Sequence, residues 1–70
     1  MEDLNFLKQI GGQIKSTRNQ MGVKQNALAR LCKFDNASIS RIESGHTNVS
    51  ILTLRKISQS LGIHISELLK

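Results

Sequence analysis

Apolar side chains recur along this chain at three- and four-residue intervals, and the recurrence restarts beyond Gly22, Gly45 and Gly62. Leu4, Leu7, Ile10, Ile14 and Met21 form one such run, closed by Gly22; Leu54, Ile57 and Leu61 form another, closed by Gly62. A 3.6-residue period cut by glycine, in a chain with no proline, permits short α-helices and little else. Phe6 and Phe34 are too few aromatics for a β-sandwich. Seventy residues support one core, so the expected fold is all-α: a compact five-helix bundle forming one domain over residues 1–70.

The first helix is predicted to start at Leu4 with Asp3 as its N-cap. Gly11 and Gly12 interrupt it at about 1 kcal/mol each relative to alanine, which a close helix–helix approach or a local bend would explain. Gly22 ends it as a left-handed cap, with Val23 supplying the apolar contact that follows such caps. The second helix, about residues 24–31, carries Ala27, Leu28 and Leu31. Lys33, Phe34 and Asp35 form a break, with Asp35 capping a third helix that reaches Ser44 and stops at Gly45. Asn48 or Ser50 caps the fourth. A short fifth holds Ile65, Leu68 and Leu69, with Glu67 able to reach back toward its start.

Ten Lys+Arg against five Asp+Glu leave a net charge of +5, which points to a polyanionic partner, nucleic acid before membrane. Membrane binding would need a strongly basic amphipathic helix, and none is present. No basic leader followed by a long apolar run is visible, so a cytoplasmic protein is expected. Cys32, the one cysteine, forms no internal disulfide and reads as a small buried hydrophobe. Cys32, His46 and His64 lack zinc-ligand spacing, and no nucleophile motif or phosphate loop occurs. No catalytic residue, metal, cofactor or small-molecule ligand is therefore expected.

On a wheel of about 100° per residue, the third helix turns Ile39 and Ile42 inward. Asn36, Ala37, Ser40, Arg41 and Ser44 share the opposite arc. These side chains are small or hydrogen-bonding, so the backbone can approach a major groove closely. Asn suits adenine and Arg suits guanine, since each can pair bidentately there. Glu43 sits beside Ile39 at the edge of the inward face. A carboxylate in that position needs a partner, which arginine supplies in bidentate form.

The segments I-GGQIKSTR, MGVKQNALARL, ASISRIESG, VSILTLRKISQSLG and IHISELL resemble, in order, the Cro/C1-type (XRE family) helix-turn-helix regulators. The resemblance runs from Ile10 to Leu69 and implies a lambda-repressor-like bundle whose second and third helices form the helix-turn-helix, about residues 24–44. It implies that Gln25 grips a DNA phosphate and that Asn36, Ala37, Ser40 and Arg41 read base edges. Lys24, Ser38 and the loop His46-Thr47-Asn48 would contact the backbone of double-stranded DNA. It also implies that Arg18 pairs with Glu43 across the first and third helices. Lys33 stands where the family usually has glycine, at about 1 kcal/mol if φ is positive. Lys24 and His64 replace usual capping residues.

The implied function is a DNA-binding transcriptional regulator, expected to be a repressor acting as a homodimer on a pseudo-palindromic operator. The predicted seam is the C-terminal cluster Ile63, Ile65, Leu68 and Leu69, more apolar than so short a helix needs. The rival is an interaction module, an antitoxin or a regulator-binding domain, using the same fold to hold a toxin or another regulator. Such a module would show an apolar patch on the third helix rather than Asn36, Ser40 and Arg41.

Overall fold

Four successive helices stop on a residue in the left-handed region: Gly22 (φ 71°), Lys33 (φ 59°), Gly45 (φ 79°) and Gly62 (φ 69°). At each stop the following amide folds back to a carbonyl five residues earlier, as in Val23 N–H to Arg18 C=O (3.0 Å) and Phe34 N–H to Ala29 C=O (2.9 Å). The computed structural model describes residues 2–70. It contains α1 (Glu2–Gln20), α2 (Gln25–Cys32), α3 (Asn36–Glu43) and α4 (Ile51–Leu61), then a 3₁₀ turn, Ile65–Leu68. No strand occurs among the described residues. Lys33 thus does what glycine does at the other three stops, at about 1 kcal/mol of side-chain crowding.

The core is aliphatic: Ile10 and Ile14 of α1, Leu28, Ala29 and Cys32 of α2, Ile39 and Ile42 of α3, and Leu54, Ile57 and Leu61 of α4, with Leu68 closing it. Asp35 caps α3 by accepting from Ser38 N–H (2.9 Å), and Ser50, rather than Asn48, caps α4 by accepting from Thr53 N–H (3.1 Å). The chain after α4 is held to α1 by two glutamines. Gln13 donates to Glu67 C=O (3.1 Å) and Gln9 to Lys70 C=O (2.7 Å).

Several expectations are corrected. Asp3 lies inside α1 and is not its N-cap, because the helix already begins at Glu2. Met21 falls beyond α1 and is exposed. Leu31 is 58% exposed, and Ala29 and Cys32 hold the inward positions of α2 instead. Helix α4 lies on the Cys32 side, close enough for the thiol to donate to Ser60 Oγ (3.4 Å). The fifth α-helix is a single 3₁₀ turn, whose three-residue repeat stacks Ile65 and Leu68 on one side and carries Leu68 into the core. Its cap is His64, whose Nδ1 accepts from Ser66 N–H (3.2 Å). Glu67 pairs with Lys70 (3.0 Å) rather than reaching back.

The paired glycines of α1 have different roles. A Cβ on Gly11 would overlap the carbonyl oxygens of Ile42 and Glu43 and lie 2.7 Å from the Glu43 carbonyl carbon, whereas one on Gly12 would meet nothing within 4 Å. The close approach therefore belongs to Gly11 alone. Gly45 seats the chain leaving α3 over Lys8, where an added Cβ would come 2.8 Å from backbone. The last turn of α3 and the chain just beyond it are thus both pressed against α1.

Candidate nucleic-acid interface

Helix α3 is anchored by Ile39, Ile42 and Glu43, all buried, so its opposite side is fixed toward solvent. Asn36, Ala37, Ser40 and Arg41 are all exposed there, as the wheel predicts. None is a bulky aliphatic, and Ala37 and Ser40 are small, so a backbone or a base edge can approach closely. Asp35 holds the N-terminal end of this surface. The Ser38 hydroxyl and then its backbone amide keep the Asp35 carboxyl below its ordinary value, with a smaller contribution from the charge of Arg41.

Ser38 and Arg41 border a recess of about 330 Å³ between α3 and the start of α4, and Thr47 and Asn48 line it from the loop. Three of the six residues assigned to backbone contact (Ser38, Thr47, Asn48) therefore meet Arg41 at one edge. His46 is exposed beside them, its Nδ1 2.8 Å from Ser44 Oγ. Lys24 is exposed at the start of α2, where its side chain makes no capping bond, so the first amides of α2 are left open.

Beneath this surface, Arg18 and Glu43 form the buried pair that the sequence suggests: Nε to Oε2 at 2.7 Å and Nη2 to Oε1 at 3.1 Å. Arg18 also donates from Nη1 to Val23 C=O (2.9 Å), tying down the turn between α1 and α2. Every buried side-chain N or O among the described residues has a partner. Gln25 is engaged by two neighbouring side chains. It donates to Glu43 Oε1 (3.1 Å) and accepts from Asn36 Nδ2 (3.2 Å), a double engagement that residue type and spacing do not reveal.

The predicted seam divides. Leu68 is fully buried and belongs to the core, so it cannot contribute to an interface; Ile63 and Ile65 are partly buried against that core. Leu69 is 42% exposed and borders an apolar groove of about 460 Å³ with Phe6, Leu7, Ile51 and Leu54. Phe6 and Ile51, both more than half exposed, are not among the seam residues expected from the sequence. Spacing hides them, since Phe6 precedes Ile10 by four residues and Ile51 precedes Leu54 by three, so each continues the apolar period of its helix.

A helix-turn-helix family model, HTH_3, matches residues 14–68. The control protein C.MunI of a Mycoplasma species is 38% identical over 69 residues, covering 97% of this chain and 90% of its own. Among solved structures, the restriction-modification controller protein C.AhdI of Aeromonas hydrophila superposes with a TM-score of 0.86 at 31% identity, over 89% of this chain and 94% of that one. An HTH_3 family transcriptional regulator of Vibrio cholerae gives a TM-score of 0.88 at 33% identity, over 94% of this chain and 37% of that longer chain.

Proposed function

The chain belongs to the HTH_3 helix-turn-helix family, the Cro/C1-type transcription regulators, and from that premise we propose that it binds a pseudo-palindromic operator as a homodimer and represses transcription. The carrying observation is the outward face of α3, where Asn36, Ala37, Ser40 and Arg41 are exposed on a helix whose other face is locked into the core. With α3 in the major groove, Asn36 and Arg41 read base edges, and Ala37 and Ser40 allow close approach. Lys24, Gln25, Ser38, His46, Thr47 and Asn48 flank the phosphates. Control of restriction–modification is the role suggested by the name of C.AhdI at 31% identity, and C.MunI, at 38%, is likewise named a control protein.

Affinity is expected to fall steeply with salt, by about 0.9 log units per log unit of salt for each phosphate neutralised. The operator is to be selected from a random DNA pool and the titrations run on it. Arg41→Ala should weaken binding by about 1–3 kcal/mol and relax preference at one base pair. An equal loss on every sequence would reduce Arg41 to a phosphate contact, and salt-independent affinity would end the groove-docking reading.

The homodimer follows from reach and specificity. One domain 31 Å in its longest dimension carries a single reading helix, whereas half-sites one turn of DNA apart are separated by about 34 Å. The groove bordered by Phe6, Ile51 and Leu69 is the apolar surface available for the second copy. Leu69→Glu should shift sedimentation from dimer to folded monomer, whereas a chain that stays monomeric with and without a palindromic site would refute the dimer.

A further inference from the structure

The C-terminal end of α3 carries a short chain of hydrogen bonds. Arg41 C=O accepts twice, from the Ser44 hydroxyl (3.1 Å) and from His46 N–H (2.9 Å). Ser44 Oγ also lies 2.8 Å from His46 Nδ1. A serine hydroxyl has one hydrogen to give, and here it goes to Arg41 C=O. Both contacts of Ser44 are hydrogen bonds at once only if the imidazole donates, so Nδ1 of His46 carries the hydrogen. His64 has the opposite assignment, since its Nδ1 accepts from Ser66 N–H (3.2 Å).

This tautomer decides what the exposed ring of His46 offers to DNA. With Nδ1–H turned back to Ser44, the other nitrogen of the neutral ring, Nε2, presents a lone pair. A phosphate oxygen is also an acceptor, so the two repel. Taking a proton from water makes Nε2 a donor and the ring a cation, and both changes favour a phosphate. A neutral ring could donate from Nε2 only by exchanging tautomers, which would force Ser44 to release Arg41 C=O. We propose that Ser44 is a positioning residue for DNA binding, holding His46 in the form that grips a phosphate only after taking up a proton. This rests on the operator reading above, in which His46 flanks the phosphates. The charged groups about the loop are Lys8, on which Gly45 packs, Asp3, which borders the same groove as Asn48, and Arg41. Ser50 and Thr53, which border the recess from the α4 side, carry no charge. Side chains of the lysine, arginine and aspartate types keep their charge between pH 6 and 8, where imidazole changes its own.

The test titrates wild type, Ser44→Ala, His46→Ala and His46→Lys on the selected operator from pH 6 to pH 8 at constant salt. A phosphate that favours the imidazolium makes binding tightest below the titration of the ring and weaker as pH rises through it. Wild-type affinity should therefore fall by about 10-fold per chain from pH 6 to pH 8, within the ceiling of about 10-fold per pH unit that one proton sets. His46→Ala should be flat near the wild-type value at pH 8, and His46→Lys flat above it. His64 is present in all four proteins, so that flatness assigns the proton to His46. Ser44→Ala frees the neutral ring to donate from Nε2. Its fall over the same range should shrink to about 3-fold or less, through tighter binding than wild type at pH 8. Without DNA, at pH 8, the ring ¹⁵N signals should show His46 as the Nδ1–H tautomer and His64 as the Nε2–H one. Wild-type affinity unchanged with pH would overturn the proposal, as would an Nε2–H tautomer at His46. So would Ser44→Ala weakening binding equally at every pH, which is what loss of a simple helix-end contact would do. A wild-type chain that selects no sequence at all would remove the operator reading and the proposal with it, a result distinct from pH-independent binding to a selected site.

Discussion

Arg18→Met is expected to destabilise the fold by about 3–5 kcal/mol, the loss that follows when one member of a buried pair is left alone. Glu43 would keep only the hydrogen bond from Gln25, and Val23 C=O would lose its donor as well. At about 0.05–0.15 kcal/mol of net stability per residue, a domain of this size has little beyond that to lose. Adding Glu43→Leu should recover much of the deficit, because it removes the stranded charge and leaves an aliphatic residue among Ile39 and Ile42. Chemical denaturation of the four proteins in the cycle measures the coupling. Losses that simply add would show that the two groups are energetically independent despite their 2.7 Å separation.

Gly11→Ala is expected to destabilise by about 2 kcal/mol or more, while Gly12→Ala one position along stabilises by about 1 kcal/mol. Both changes improve helix propensity equally, so their difference isolates packing. At Gly11 the obstruction is the backbone of α3 and cannot rotate away; at Gly12 the added methyl enters open space. Thermal unfolding of the two variants decides the matter. If both were stabilised, the α1–α3 contact would be looser than its geometry. The Gly11 change should also weaken operator binding beyond its effect on folding, since α1 would displace the helix that bears Asn36 and Arg41.

The helix stops were legible because three of the four left-handed positions are glycine and the periodicity restarts at each. The facing of helix α3 was legible, since Ile39 and Ile42 leave only one arc for its polar side chains, although the helix ends at Glu43, one residue short of the expected Ser44. The second helix was not, for a geometric reason. Leu31 and Cys32 stand three and four residues from Leu28, so both fit a 3.6 period, and only the position of α4 decides that Cys32 turns inward. Gly11 and Gly12 pose the same problem, being about 100° apart on the helix, with only one of them facing α3. Leu68 and Leu69 look alike as neighbours in an apolar cluster, yet 3₁₀ winding buries the first and exposes the second. The Glu43–Gln25–Asn36 line was invisible because three separate elements must be assembled before those side chains meet.

The junction between α2 and α3 is not a hinge. Lys33 in the left-handed region lets its own N–H reach Arg30 C=O (3.2 Å) and that of Phe34 reach Ala29 C=O (2.9 Å), which fixes the turn as far as Phe34, and rolling α3 against α2 would part Ile39 and Ile42 from the core they share with Leu28, Ala29 and Cys32. In the proposed complex, a duplex of the wrong groove width or twist cannot be accommodated by turning the reading helix, so the duplex itself must deform. Bending a 20–30 base-pair site costs on the order of 1–6 kcal/mol, as much as a base contact contributes, and depends on steps that no side chain touches. The spacer between half-sites would then be selected for its elasticity, with compliant pyrimidine–purine steps favoured where the paired domains force the axis to curve.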